Sequence, residues 1–183
     1  MQESVRERIK KAKYIICSCE GAAELDIIKL LLKEDLLLFK EEQVLFDGIT
    51  NYRKASDIQE KFLGTIFDEK ILILRILDSK NDKFNLKKPY NEKCEVININ
   101  TVPEIEILLI IYFGKYDEYT KKYKNEYKPS QYCKIILQEK NIKKHGYMTN
   151  LFSGKINDLV RVLHFYKSKN KRDNLNYIVD LLK

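Results

Sequence analysis

The sequence predicts an α/β fold, with a mainly parallel sheet flanked by helices and a helical C-terminal part, on three observations. Short apolar runs alternate with helical patterns through the front half, two of those runs end in acids, and from Lys115 onward the pattern is helical. The 183 residues fit one domain. Within it, residues 1–13 read as an N-terminal extension, 14–115 as the α/β core and 116–183 as a helical part of the same domain.

The stretch to Lys13 reads as a polar helical turn or tail, and Tyr14, Ile15, Ile16, Cys17, Ser18, Cys19 as a buried first strand. Glu20 and Gly21 turn the chain into a helix from Ala22 through Leu32, where apolar residues recur at helical spacing. Gln43 to Phe46 is a second short strand, closed by an Asp47-Gly48 turn. Ser56 caps a helix through Ile58, Phe62, Leu63 and Ile66, because its hydroxyl can accept from an open backbone amide. Ile71 to Leu77 is the most strand-like segment and ends in Asp78-Ser79-Lys80-Asn81-Asp82. Cys94 to Ile99 is a further strand. Thr101 then caps an apolar helix from Glu104 to Phe113, with Pro103 in the first turn, where its missing N–H does no harm. Beyond it, helices run through Tyr119 and Tyr123, from about Ser130 to Lys140 and around Ile156 to Tyr166. A last helix from Asn174 is loosely attached through the polar joint Lys167 to Arg172.

An apolar fraction of 44% can build a core and, with 33% charged residues of both signs, excludes a wholly disordered chain. No apolar run reaches the ~18 residues that a bilayer span needs. The charged start MQESVRERIKKAK lacks a signal-peptide pattern, so the expected setting is the cytoplasm with no membrane association. Cys17, Cys19, Cys94 and Cys133 suit buried, reduced thiols there. Cys17 and Cys19 share one strand face; they either pack in the core or begin a C-x-C metal site, for which no further Cys or His follows nearby. The net charge of +7 permits attraction to polyanions without defining a site, and a composition biased towards Lys and Asn is the other account of it.

Ligands of a parallel sheet gather beyond the carboxyl ends of its strands. Three segments deliver acids to that edge: Glu20 with Glu24, Asp78 with Asp82, and Glu106 behind Pro103. Hard divalent cations take oxygen ligands, and phosphoryl transfer needs charge neutralised on the attacking and leaving oxygens. The convergence therefore points to Mg²⁺ or Mn²⁺ held for phosphodiester chemistry. Gly21 lets the chain turn tightly beside a metal or phosphate, and Glu24, in the first turn of its helix, can point back to the strand end. Each acid also has an ordinary role, Glu24 and Glu106 as favourable charges at helix N-termini and Asp78 and Asp82 as loop acids.

The strand ending in Cys19-Glu20-Gly21-x-x-Glu24 resembles the first motif of Toprim proteins, especially the OLD-like and RloB-like ones. Ile76-Leu77-Asp78-Ser79-Lys80-Asn81-Asp82 takes the place of the Asp-rich second strand end. Thr101-Val102-Pro103-Glu104-Ile105-Glu106-Ile107-Leu108-Leu109-Ile110 resembles the Ser-Asn-Pro-x-x-Glu-x-x-Leu-Leu segment of RloB-like proteins, with Val102 where those have Asn. The three motifs keep the family's order across residues 14 to 115. The resemblance implies a Toprim-like fold and a nuclease site in which Glu20, Glu24, Asp78 and Glu106 are metal ligands or neighbouring acids, and Glu20 is also the candidate catalytic acid or base. It further implies DNA or RNA as substrate, a place in prokaryotic phage defence, and room for control by a separate ATPase or other subunit.

Toprim topoisomerases use a Tyr from another domain, which this chain does not show, so hydrolysis by activated water is expected. The family presents Asp-x-Asp in its second motif, whereas Lys80 stands two beyond Asp78 and the next acid is Asp82. Either Asp82 reaches the metal through a looser turn or the site has one ligand fewer; the second case leaves a non-catalytic module that binds nucleic acid or protein. Lys80 meets a substrate phosphate or is a solvated loop lysine. In the back half, Lys121, Lys122, Lys124 and Lys128 interleave with Tyr116, Tyr119, Tyr123, Tyr127 and Tyr132. That pattern suits either a nucleic-acid track with base stacking or a helix with a buried aromatic face and solvated lysines.

Overall fold

The computed structural model describes residues 3–79, 83–170 and 175–183. Helix α1, Val5–Lys11, starts from a capping box in which Ser4 and Glu7 satisfy each other's backbone amides. Strand β1 (Tyr14–Cys19) and helix α2 (Ala22–Lys33) follow, then β2 (Val44–Thr50), α3 (Ala55–Phe62), β3 (Ile71–Leu77), the single turn α4 (Lys88–Asn91) and β4 (Cys94–Asn100). The helical part comprises α5 (Ile107–Tyr112), α6 (Tyr116–Glu118) running into a wide turn at Tyr119–Tyr123, α7 (Pro129–Ile135), α8 (Tyr147–Phe152) and α9 (Ile156–Lys169). No helix among the described residues is long and apolar enough to cross a membrane.

The sheet has the order β2-β1-β3-β4 with every pairing parallel. Its centre explains its sequence: β3 is buried along its whole length, so it carries an apolar run broken only by Arg75. The Arg75 guanidinium lies over the Phe84 ring, 4.2 Å from the centroid. Side-chain alternation divides the core in two. Ile15, Cys17 and Cys19 join Leu72, Leu74 and Ile76 on the face covered by α2, α5 and the later helices. Ile16, Ile71 and Ile73 join Ile58 and Phe62 on the face covered by α3. Cys17 and Cys19 thus share a face and are core residues, and all four cysteines are buried free thiols.

Several boundaries depart from the sequence reading. Strand β2 continues through Asp47-Gly48, because its register on β1 jumps from Ile15↔Val44 to Cys17↔Ile49 and the extra residues form a bulge. Phe46, at φ 45°, is pushed outward there and is 77% exposed. Helix α3 begins at Ala55 with Lys54 before it, so Ser56 lies inside the first turn and its hydroxyl meets Asp57 instead of capping. Helix α5 begins only at Ile107; a cis Val102–Pro103 bond and a turn precede it, leaving Pro103 outside the helix and Thr101 buried at the end of β4.

The C-terminal segment is pinned, in contrast to the expected loose attachment. Asn100 N–H donates to the Asn176 carbonyl at 2.7 Å, Leu38 N–H to Leu181 at 2.7 Å and Lys183 N–H to Leu36 at 2.9 Å. Tyr177, Ile178, Val179, Leu181 and Leu182 are buried. Asp26, buried in α2, accepts the Met148 amide at 3.3 Å at the start of α8 and so ties the helical part to the first helix. Leu181 is fully enclosed; L181A should therefore lose about 2 to 5 kcal/mol in urea unfolding, whereas a loss below about 0.5 kcal/mol would mean that the tail is not part of the cooperative core.

Candidate functional site

The carboxyl ends of the strands open onto a cavity of about 340 Å³ lined by Glu20, Gly21, Glu24, Arg53, Asp78, Glu104, Glu106 and Lys143 among others. Backbone pairing positions the first acids. Cys19 lies opposite Ile76 in the β1–β3 ladder, and Glu20 N–H extends that ladder by donating to the Ile76 carbonyl at 3.0 Å. Glu20 Oε2 in turn accepts the Asp78 backbone N–H at 2.9 Å, so the two strand ends are locked through one carboxylate. Gly21 permits this crowding: a Cβ there would stand 2.9 Å from Glu24 Oε2. Glu24, in the first turn of α2, folds back over it and is only 4% exposed.

The third segment arrives by a different route. Thr101 N–H donates to the Leu77 carbonyl at 2.7 Å, and Tyr166 of α9 donates to the Val102 carbonyl, which sets the turn carrying Glu104 and Glu106. Glu104 accepts the Ser130 amide at 2.9 Å at the start of α7, and the Cys133 thiol lies 3.7 Å from the Glu106 carbonyl. Arg53 comes from the loop after β2. Ser18 holds that loop by donating to the Tyr52 carbonyl at 2.7 Å, and Arg53 Nη2 pairs with Glu20 Oε1.

Among the described lining residues, five carboxylates face two cationic side chains, and the proton affinities of Glu24, Asp78 and Glu106 respond. Burial raises the Glu24 carboxyl to about 7, against its own backbone amide, with the charges of Glu106, Asp78 and Glu20 adding to the rise. Asp78 is raised to about 6, by burial first, then by its hydrogen bond with Glu20 and the charges of Glu20 and Glu104; Arg53 opposes the rise. Burial also raises Glu106, with Glu104 adding and Lys143 and Lys134 opposing. The donors are all carboxylate oxygens, the set that a hard cation selects, and two of the acids are held near neutrality where a cation could replace the proton. Yet no three His, Cys, Asp or Glu among the described residues are gathered closely enough to hold one ion.

Glu20, Glu24, Asp78 and Glu106 are thus brought together on one cavity. Asp82 and Lys80 lie outside the described residues. Lys121, Lys122, Lys124 and Lys128 are exposed and do not line the cavity. Their interleaved tyrosines pack on one another: Tyr119 and Tyr123 have ring centroids 5.0 and 5.3 Å from Tyr132, and Tyr123 lies 6.2 Å from Tyr127. Sequence reasoning missed Arg53, Glu104 and Lys143. Arg53 follows a strand end, the same signal that marked Glu20 and Asp78, and Glu104 stands two residues before Glu106; Lys143 has no local signal and reaches the cavity through tertiary packing alone. No protein-family profile, curated protein or solved structure matches the chain.

The raised carboxyls fix a sign. Folded Glu24 binds its proton more tightly than an ordinary carboxyl at 4.5, so between about 4.5 and 7 the folded state holds more protons than the unfolded chain. Stability of the metal-free protein should therefore fall as pH rises through that window. Urea unfolding across pH 4.5 to 8 should show the decline, and Glu24→Gln should remove much of it; an undiminished slope in that variant would assign the effect elsewhere.

Proposed function

We propose that the protein is a metal-dependent Toprim-type nuclease that hydrolyses phosphodiester bonds in DNA or RNA. The observation that carries this reading is the arrival of Glu20, Glu24, Asp78 and Glu106, from three separate segments, on one cavity at the carboxyl edge of a parallel sheet. Glu20 and Asp78 stand at the strand ends, with the more buried Glu24 and Glu106 behind them; these four would hold Mg²⁺ or Mn²⁺, with Asp82 as the second acid of its motif. Such an ion, when bound, supplies positive charge to the phosphodiester oxygens and acidifies a water.

The chain's own groups do the rest. The Asp78 amide orients Glu20, which takes a proton from the attacking water or returns one to the leaving oxygen. Lys143 adds positive charge to the cavity wall, and Lys80, two residues beyond Asp78 in sequence, is a candidate phosphate contact. Lys121, Lys122, Lys124 and Lys128 extend contact with the nucleic-acid backbone beyond the cavity. The setting we propose is the cytoplasm of a prokaryote, in phage defence, with control by a separate ATPase or other subunit; the motif resemblance is its only support.

A second reading has its own observation. The acids are not gathered about one point among the described residues, and Glu20 already has a cationic partner in Arg53. That arrangement suits a non-catalytic module that binds nucleic acid or protein without metal.

Glu20→Gln keeps size and removes charge, so it should lower Mg²⁺- or Mn²⁺-dependent cleavage by at least about 100-fold with the circular dichroism spectrum unchanged. Asp78→Asn should behave alike, and a comparable loss in Asp82→Asn would show that this residue serves as the second acid. Wild-type protein that neither cleaves single-stranded, duplex or structured substrates nor takes up Mn²⁺ in calorimetry, yet binds nucleic acid, would establish the second reading.

If the four exposed lysines contact phosphates, replacing Lys121, Lys122, Lys124 and Lys128 together by Gln should weaken oligonucleotide binding. The slope of log affinity against log salt should also fall by about 3. Unchanged affinity and slope would leave them a solvated face.

A further inference from the structure

We propose that Arg53 is a latch on the acidic cavity: it holds the cation-facing oxygen of Glu20 while no metal is bound, and passes to a phosphate of the substrate when a metal takes that oxygen. This rests on the reading of the cavity as a nuclease site and adds a positioning residue outside the three acidic motifs. Glu20 has two carboxylate oxygens with different tasks. Oε2 is committed to the Asp78 backbone amide at 2.9 Å, a bond that also joins the ends of β1 and β3. Oε1 is the one that Arg53 Nη2 occupies. Oε1 is the oxygen free of the strand-end lock, and a cation that takes it meets the Arg53 guanidinium there and repels it.

Arg53 is built to leave. Its side chain is 52% exposed against 14% for Glu20, so the pair sits at the cavity mouth with the guanidinium on the solvent side. Its loop is nonetheless anchored from beneath by Ser18 on the Tyr52 carbonyl, which keeps a displaced guanidinium within reach of the cavity. A guanidinium offers five N–H donors in a planar fork that matches two phosphate oxygens, and it keeps its charge at every accessible pH. The ligand class is thus a phosphodiester, received beside the metal that releases the arginine.

The latch predicts effects of opposite sign. In Arg53→Gln, Mn²⁺ measured by calorimetry without nucleic acid should bind about two- to fivefold more tightly, as expected from losing one partly exposed competing ion pair. The same variant should bind a non-hydrolysable phosphorothioate oligonucleotide about tenfold more weakly in the presence of Ca²⁺, for loss of a charge-assisted phosphate contact. Lys143→Gln, which lacks a bond to Glu20, should weaken the oligonucleotide without tightening Mn²⁺ to the same degree. R161Q in α9, outside the cavity lining, removes the same charge and should change neither. Wild-type protein that takes up no Mn²⁺ would overturn the nuclease reading itself. If the wild type does bind Mn²⁺, the latch alone is overturned by Arg53→Gln leaving both affinities unchanged, by its weakening both together, or by an equal Mn²⁺ gain in Lys143→Gln.

Discussion

β1 and β3 pair in parallel from Tyr14 on Ile71 to Cys19 on Ile76, and the geometry of the acidic edge follows from that register. Because side chains alternate along a strand, a slip of one residue would send Leu72, Leu74 and Ile76 to the smaller core and Ile71 and Ile73 to the larger one. Both faces of β3 are buried, so both cores oppose the slip. The carbonyl of Ile76 then takes the Glu20 amide, the Glu20 carboxylate takes the Asp78 amide, and two acids 58 residues apart meet through backbone geometry. Apolar packing, not attraction between the acids, brings them together; left to themselves they would repel.

The helical part closes the other side of that edge. Glu104 satisfies the first amide of α7, Cys133 of α7 packs on the Glu106 carbonyl, and Tyr166 of α9 holds the Val102 carbonyl. Asp26 ties α8 back to α2, and the C-terminal segment bonds to the end of β4 and to the chain after α2. Buried acids that hold protons into the neutral range destabilise a fold at higher pH, and they persist where the surrounding structure is strong enough to hold them. Here the wall is buried on the Glu24 and Glu106 side and open on the Arg53 side, which is where charge can be exchanged.

Much of this was legible in the sequence. The bounds of β1 and β3 follow from apolar runs of strand length, and Glu20 and Asp78 from their place just beyond them. Less legible were features that depend on partners distant in sequence. Asp47-Gly48 carries a turn signal, yet pairing with β1 makes it a bulge within β2. Arg53 belongs to the site only because β2 lies beside β1, and Lys143 only because the helical part folds over the strand ends. The interleaved lysines and tyrosines admitted two readings by spacing alone; the rings pack against one another, and the lysines are exposed, as both readings require.

Carbon-detected NMR titration of the glutamate side chains, with and without Mg²⁺, tests the central claim most directly, because it watches the clustered carboxyls themselves. The account predicts that Glu24 titrates near 7 in metal-free protein and that saturating Mg²⁺ drives its proton off, moving its midpoint down by at least about one pH unit. A midpoint near 4.5 that Mg²⁺ does not move would contradict it, since the cavity would then be neither a crowded acidic site nor a place where a cation binds.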